Sequence, residues 1–183
     1  MTVTKGLLAG SVGGLAASWV MNVFQKGLSK IFEGDQKPHG AQSLQQGSPG
    51  HGVAAELRDR GVDDPDDNAA ERTANFAAVS ILDRGLSESE KHTAGGVVHY
   101  VFGISTGAVY GAASELFPDV AKGFGLPFGA SVWLLADEIT VPALGLSKSA
   151  KDYPISKHVY ALASHLVYGV ATDLTRRMVK RVL

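Results

Sequence analysis

The uncharged positions of this chain fall into long runs. Between Lys5 and Lys26 lie 20 residues without a formal charge, and between Lys91 and Glu115 lie 23. From Gly123 to Ser147 there are 25 residues whose only charges are the adjacent Asp137 and Glu138. A last run of 15 residues, His158 to Thr172, is followed by Asp173, Arg176 and Arg177. A bilayer core takes roughly 20 mainly apolar residues per helix. The first two runs meet that length, and the third does so if its acids face protein or water. The fourth reaches it by letting flanking charged side chains snorkel. The pattern predicts an all-α integral membrane bundle of about four transmembrane helices, at about 4–31, 92–116, 123–145 and 156–182. A soluble helical bundle is the alternative. A basic flank before an apolar run also describes a secretory leader, but the first run is read as a permanent helix.

The intervening segment, about 32–91, is different in kind. Gly34 to Asp67 is rich in Gly, Gln, Ser, Pro and Asp, has no period, and reads as an extramembrane loop. Asp63-Asp64-Pro65-Asp66-Asp67 looks like a helix start, with a capping aspartate and acids at the positive end of the dipole. The helix it opens, about 68–82, sets Ala70, Ala74, Ala77, Ala78 and Ile81 on one stripe. That stripe predicts an amphipathic surface helix resting on protein.

Within the first two spans, Gly6, Gly10 and Gly14 recur every fourth residue, and so do Gly103, Gly107 and Gly111. Small residues at that spacing make a flat strip on which another backbone can approach closely. The partner is either a helix of the same chain or a second protein. Ser11, Ser18, Ser105, Thr106 and Ser131 are expected to bond between helices, and Trp19, Trp133, Tyr100, Tyr110, Tyr160 and Tyr168 to pack.

Charge and composition narrow the chemistry. Seventeen basic residues balance 18 acidic ones, which gives no reason to expect nucleic acid. The absence of cysteine removes disulfides, thiolate metal sites and cysteine nucleophiles. There is no GxSxG, P-loop, HExxH or dinucleotide fingerprint, so catalysis has no support. Lys5 and the tail Arg176, Arg177, Lys180 and Arg181 place both termini in the cytoplasm and segment 32–91 outside, although Lys148, Lys151 and Lys157 oppose this.

An ionisable side chain in the membrane costs roughly 2.5–3.5 kcal/mol and is a functional candidate by default. Here these are His99, Asp137, Glu138 and His165. Counted inward from the outer helix ends at 1.5 Å per residue, they converge at about 9–12 Å depth. His92 and His158 lie seven residues before His99 and His165, on the same helix faces. Several readings stay open: a proton-responsive cluster; a divalent metal held by His99, His165 and Glu138; haem b between His99 and His165; or hydrogen bonding that fixes helix register without a ligand. No cofactor is predicted outright. Glu115, Asp173, Arg176 and Arg177 are expected to form interfacial ion pairs worth about 0–1 kcal/mol.

Residues His99 to Gly111, Ala113-Ser114-Glu115-Leu116-Phe117-Pro118, Pro142-Ala143-Leu144-Gly145-Leu146, Ser164-His165-Leu166-Val167 and Asp173-Leu174-Thr175-Arg176-Arg177 carry a resemblance. Over that stretch the chain resembles the YagU-like family of small bacterial inner-membrane proteins. The resemblance implies an inner-membrane location, membrane lipids as surroundings and a loose association with envelope or acid stress. Where the family has a histidine in its third helix, this chain has Asp137 and Glu138, so a shared site there is not implied. The functional expectation is a non-enzymatic inner-membrane protein, either acting in acid stress or serving as a subunit that packs on itself or a larger complex through its glycine strips. A metal- or haem-binding subunit is the alternative.

Overall fold

The computed structural model describes residues 3–32 and 47–183. Residues 33–46, part of the expected long loop, lie outside the described ones. The fold is all-α, and among the described residues there is no strand. In chain order the helices are α1 (Val3–Phe32), α2 (Gly52–Asp59), α3 (Ala69–Leu82), α4 (Glu88–Leu116), α5 (Leu126–Val132), α6 (Val141–Ala143) and α7 (Ile155–Lys180). A π-helical stretch, Trp133–Thr140, joins α5 to α6. Short 3-10 turns occupy Pro118–Ala121 and Ala150–Asp152. By length and composition, one stretch among the described residues is apolar enough to cross a membrane, Val3–Leu28 of α1. Helices α4 and α7 are long enough, at 29 and 26 residues, but their Gly, Ser, Thr, His and Tyr dilute the apolar signal.

The chain forms two compact units. The first contains Met1–Ala41, Tyr100–Trp133 and Val159–Leu183. In it the two glycine strips lie against each other, with Gly6 facing Gly111, Gly10 facing Gly107 and Gly14 facing Gly103, so the helices run antiparallel. A Cβ added at Gly107 would sit 2.5 Å from the Gly10 carbonyl oxygen. Both strips therefore pack against each other inside the chain. A further crossing of the same kind brings Gly125 and Gly129 of the α5 entrance against Gly169 and the His165 carbonyl of α7.

This unit is built inside out by the standards of a water-soluble domain. Leu8, Leu15, Val23, Val101, Phe102, Val109, Leu174 and Met178 are exposed, while Ala9, Ala17, Ser18, Gln25, Ser164, Thr172 and Asp173 are buried. A soluble protein scatters exposed apolar residues singly and does not leave large contiguous patches bare. Trp19 corrects the expectation that it packs, since it is 61% exposed. The hydroxyls also behave differently from expectation. Ser18, Ser105 and Ser131 bond back to carbonyls of their own helices, and Thr106 alone of that set reaches another helix, at the Tyr168 hydroxyl 2.8 Å away.

The second unit contains Gln42–His99 and Leu134–His158. The expected loop holds a helix that periodicity missed. The amides of Val53 and Ala54 at the start of α2 donate to the carbonyls of Leu144 and Gly145, both at 3.0 Å. Gly52 and Gly145, with φ of 62° and 69°, let the two backbones cross there. Helix α3 begins at Ala69, with Asn68 rather than an aspartate as its cap. The Asn68 side chain accepts from Ala70 and Glu71 amides while Glu71 reaches back to the cap amide. Its buried face keeps Ala74 and Ala78 of the expected stripe but turns toward Arg72, Asn75 and Val79, leaving Ala77 exposed and Ile81 80% exposed. Arg72 drives the rotation. It is fully buried because it donates to Asp63, to the carbonyl of Asp64 and to those of Gly47 and Leu146.

Candidate functional site

The π-helical stretch places the acid pair. An eight-residue π run is rare, and π turns within helices mark functional positions more often than chance. It carries Asp137 and Glu138 side by side, both half-buried. Glu138 Oε1 lies 2.7 Å from His158 Nδ1, with the side chains 16% and 20% exposed. His158 sits in the first turn of α7, and the ring of Tyr153 meets its edge at 6.5 Å between centroids. The carboxylate therefore faces His158, seven residues before the His165 that depth counting sets level with it. That count took the third span as α-helical throughout, and the wider π turns alter the register.

The remaining histidines are distributed between the units. His99 is half-buried in the second unit, on α4. His92, on the same helix, is exposed with its Nδ1 3.5 Å from Glu71. His165 lies in the first unit, where its Nδ1–H donates to the Ala161 carbonyl at 2.9 Å. This bond directs one ring nitrogen into its own helix. His51, which sequence reasoning passed over, pairs through Nε2 with the Pro142 carbonyl at 3.1 Å.

Two further charged clusters are stronger than sequence suggested. In the first unit Asp173 is fully buried. Its carboxylate accepts from the Tyr110 hydroxyl at 3.0 Å, from Arg176 at 2.7 Å and from Arg177 at 2.6 Å. Glu115 beside it pairs with Lys180 and Arg176, and Lys5 reaches the Leu183 carbonyl. These are not interfacial pairs of negligible worth. Breaking a buried pair leaves an uncompensated charge, at a cost of about 3–5 kcal/mol. The signal for them was the i, i+3 and i, i+4 spacing of Asp173 to Arg176 and Arg177, though spacing cannot tell burial from exposure.

In the second unit Lys91 joins Asp67 at 3.0 Å and Glu88 at 3.1 Å. Burial pushes the Asp67 carboxyl up to about 6 despite the lysine. Asp64, Asp67 and Glu88 bring carboxylate oxygens within 4.8 Å of one another, and the Lys91 ammonium pairs with two of them, Asp67 and Glu88.

A family model described as "Protein of unknown function (DUF1440)" matches residues 65–174. The chain is also 32% identical over 82 residues to the Inner membrane protein YagU of Escherichia coli (strain K12). That match covers 45% of this chain and 40% of the relative, so the chain spans less than half of the length of the protein it resembles. No solved structure matches.

Proposed function

The chain belongs to this family of proteins of unknown function, and from that premise we propose that it is a non-enzymatic inner-membrane protein of four spans. Its Glu138–His158 pair, held in the third and fourth spans, takes up and releases a proton. The observation that carries the membrane reading is the inverted packing of the first unit, where small and polar residues are inside and Leu, Val, Phe and Trp are outside. Lipid tails reward that arrangement, because helices in a bilayer associate through small residues and internal hydrogen bonds. The likeness to an inner membrane protein of Escherichia coli supports the same location.

Topology adds support from each unit by itself. Four spans put the first and third connections on one face, and in the second unit residues 53, 54 and 72 bond to residues 144, 145 and 146. Four spans put both termini and the second connection together on the other face. In the first unit Lys5 meets Leu183, Lys180 meets Glu115, and Arg177 bonds the Ala121 carbonyl. The basic C-terminal tail favours the cytoplasm for that face, with segment 32–91 outside.

A lone carboxylate inside a span is costly. Bonding Glu138 to an imidazole offsets that cost and makes the charge of the pair depend on bound protons. The test is a pH titration of ring nitrogens by NMR in lipid nanodiscs, with His158 assigned through His158→Asn. Glu138→Gln should move the His158 midpoint and leave that of His51, outside the spans, in place. An unmoved His158 midpoint would remove the proton reading.

A further inference from the structure

The turn between α4 and α5 carries large apolar side chains that nothing in the first unit covers. Phe117 and Phe124 are about two-thirds exposed, at 64% and 63%. Cations occur on the same turn and on the helix end bonded to it. Lys122 is exposed, with only the equally exposed Asp119 beside it at 2.8 Å, and Arg181 is exposed at the end of the chain.

Arg177 ties these together. Its Nε donates to the buried Asp173 carboxylate and its Nη2 to the Ala121 carbonyl at 3.0 Å. The guanidinium carbon lies over the Phe124 ring, 5.4 Å from its centroid. Two donors and a ring thus hold the group in place, while Nη1 has no hydrogen-bond partner among the described residues and the side chain is 42% exposed. A guanidinium fixed in this way presents its Nη1 donors to a phosphate oxygen.

Exposed aromatic rings next to cations at a helix end match the two layers of a membrane interface. The rings enter the acyl boundary and the cations meet headgroups. We propose that Phe117, Phe124, Lys122, Arg177 and Arg181 form a binding surface for the phosphodiester headgroup of an anionic phospholipid. The proposal rests on the four-span reading, which brings this turn to the inner leaflet. Charge complementarity selects an anionic headgroup over a zwitterionic one, whose ammonium would meet Lys122 and Arg181. Asp173 has no room for a lipid because its oxygens are already engaged by Tyr110, Arg176 and Arg177.

The test is native mass spectrometry of the full chain released from micelles doped with phosphatidylglycerol or phosphatidylcholine at equal concentration. The wild type should retain phosphatidylglycerol preferentially. Lys122→Gln with Arg181→Gln should cut that preference by about fivefold or more, the scale of one basic residue at an anionic surface. Both residues are exposed and lie outside the buried network, so helix content should be unchanged by circular dichroism. Arg177→Lys keeps the charge but loses the fixed Nη1 donors, and it should also weaken retention. Equal retention of both lipids by the wild type, or an undiminished preference in the double variant, overturns the proposal. Membrane insertion with equal retention sinks this surface alone. A chain that is monodisperse without detergent sinks the four-span reading as well.

Discussion

Replacing Gly107 by alanine adds one methyl group at the crossing of α1 and α4. That methyl would sit 2.5 Å from the Gly10 carbonyl oxygen, 2.7 Å from Gly14 Cα and 2.8 Å from Gly14 N, where ordinary contact begins at 3.4 Å. All three neighbours are backbone, so no side chain can swing aside. The helices must separate by about 1 Å, a gap that forfeits a quarter to a half of each dispersion contact along the strip. Overpacking of this kind costs about 1–3 kcal/mol, partly offset by up to about 1 kcal/mol from the better helix propensity of alanine. The net expectation is a loss of about 1–2 kcal/mol. Gly96 lies in the same helix with nothing within 4 Å of a Cβ. Gly96→Ala should therefore gain about 0.5–1 kcal/mol. Unfolding of each variant by sodium dodecyl sulfate in mixed micelles, followed by circular dichroism, reads both. Shifts of the same sign, or a Gly107→Ala protein as stable as wild type, would refute the close crossing.

Asp173→Asn should cost about 3–5 kcal/mol in the same assay, since it removes the carboxylate that pairs with the buried Arg176. Asp119→Asn, with its carboxylate 84% exposed, should change stability by less than about 0.5 kcal/mol. The Asp67 carboxyl rises from 3.8 to about 6 on folding, chiefly through burial. The folded state thus binds that proton more tightly than the unfolded chain. The stabilisation it brings is complete below about pH 4 and is lost as pH climbs through about 6. Hydrogen exchange of α3 amides between pH 4 and 7 should show that decline, and Asp67→Asn should flatten it. A profile that is the same in the variant assigns the decline to another group.

The long helices were legible because their signals are local. Charge-free runs mark α1 and α4, and four-residue glycine spacing marks the faces that meet. What escaped depends on contacts distant in sequence. Helix α2 has eight residues, too few to hold by propensity, and its first amides are satisfied by Leu144 and Gly145. The rotation of α3 follows from Arg72 meeting carbonyls on three separate segments. The alanines that defined the expected stripe fit a buried or an open face equally well. A mid-helix position predicts packing for Trp19 but does not say which side of the helix is exposed.

The candidate site was half legible. Acids inside an uncharged run flagged Asp137 and Glu138, and the seven-residue spacing brought His158 into view. Depth counting then paired Glu138 with the deeper histidine, because a π-helical stretch has no simple sequence signature and shifts every side chain after it. The buried network around Asp173 was seen as residues but misjudged in strength, since burial is a property of the packed fold.

The central claim is that the exposed apolar face of α1 is solvated by lipid tails. Trp19 reports on it directly in a Trp133→Phe variant reconstituted into vesicles, by comparing quenching from brominated acyl chains with quenching from aqueous acrylamide. Strong quenching by the brominated lipid and little by acrylamide is the predicted result. Efficient acrylamide quenching with no response to bromine would contradict it.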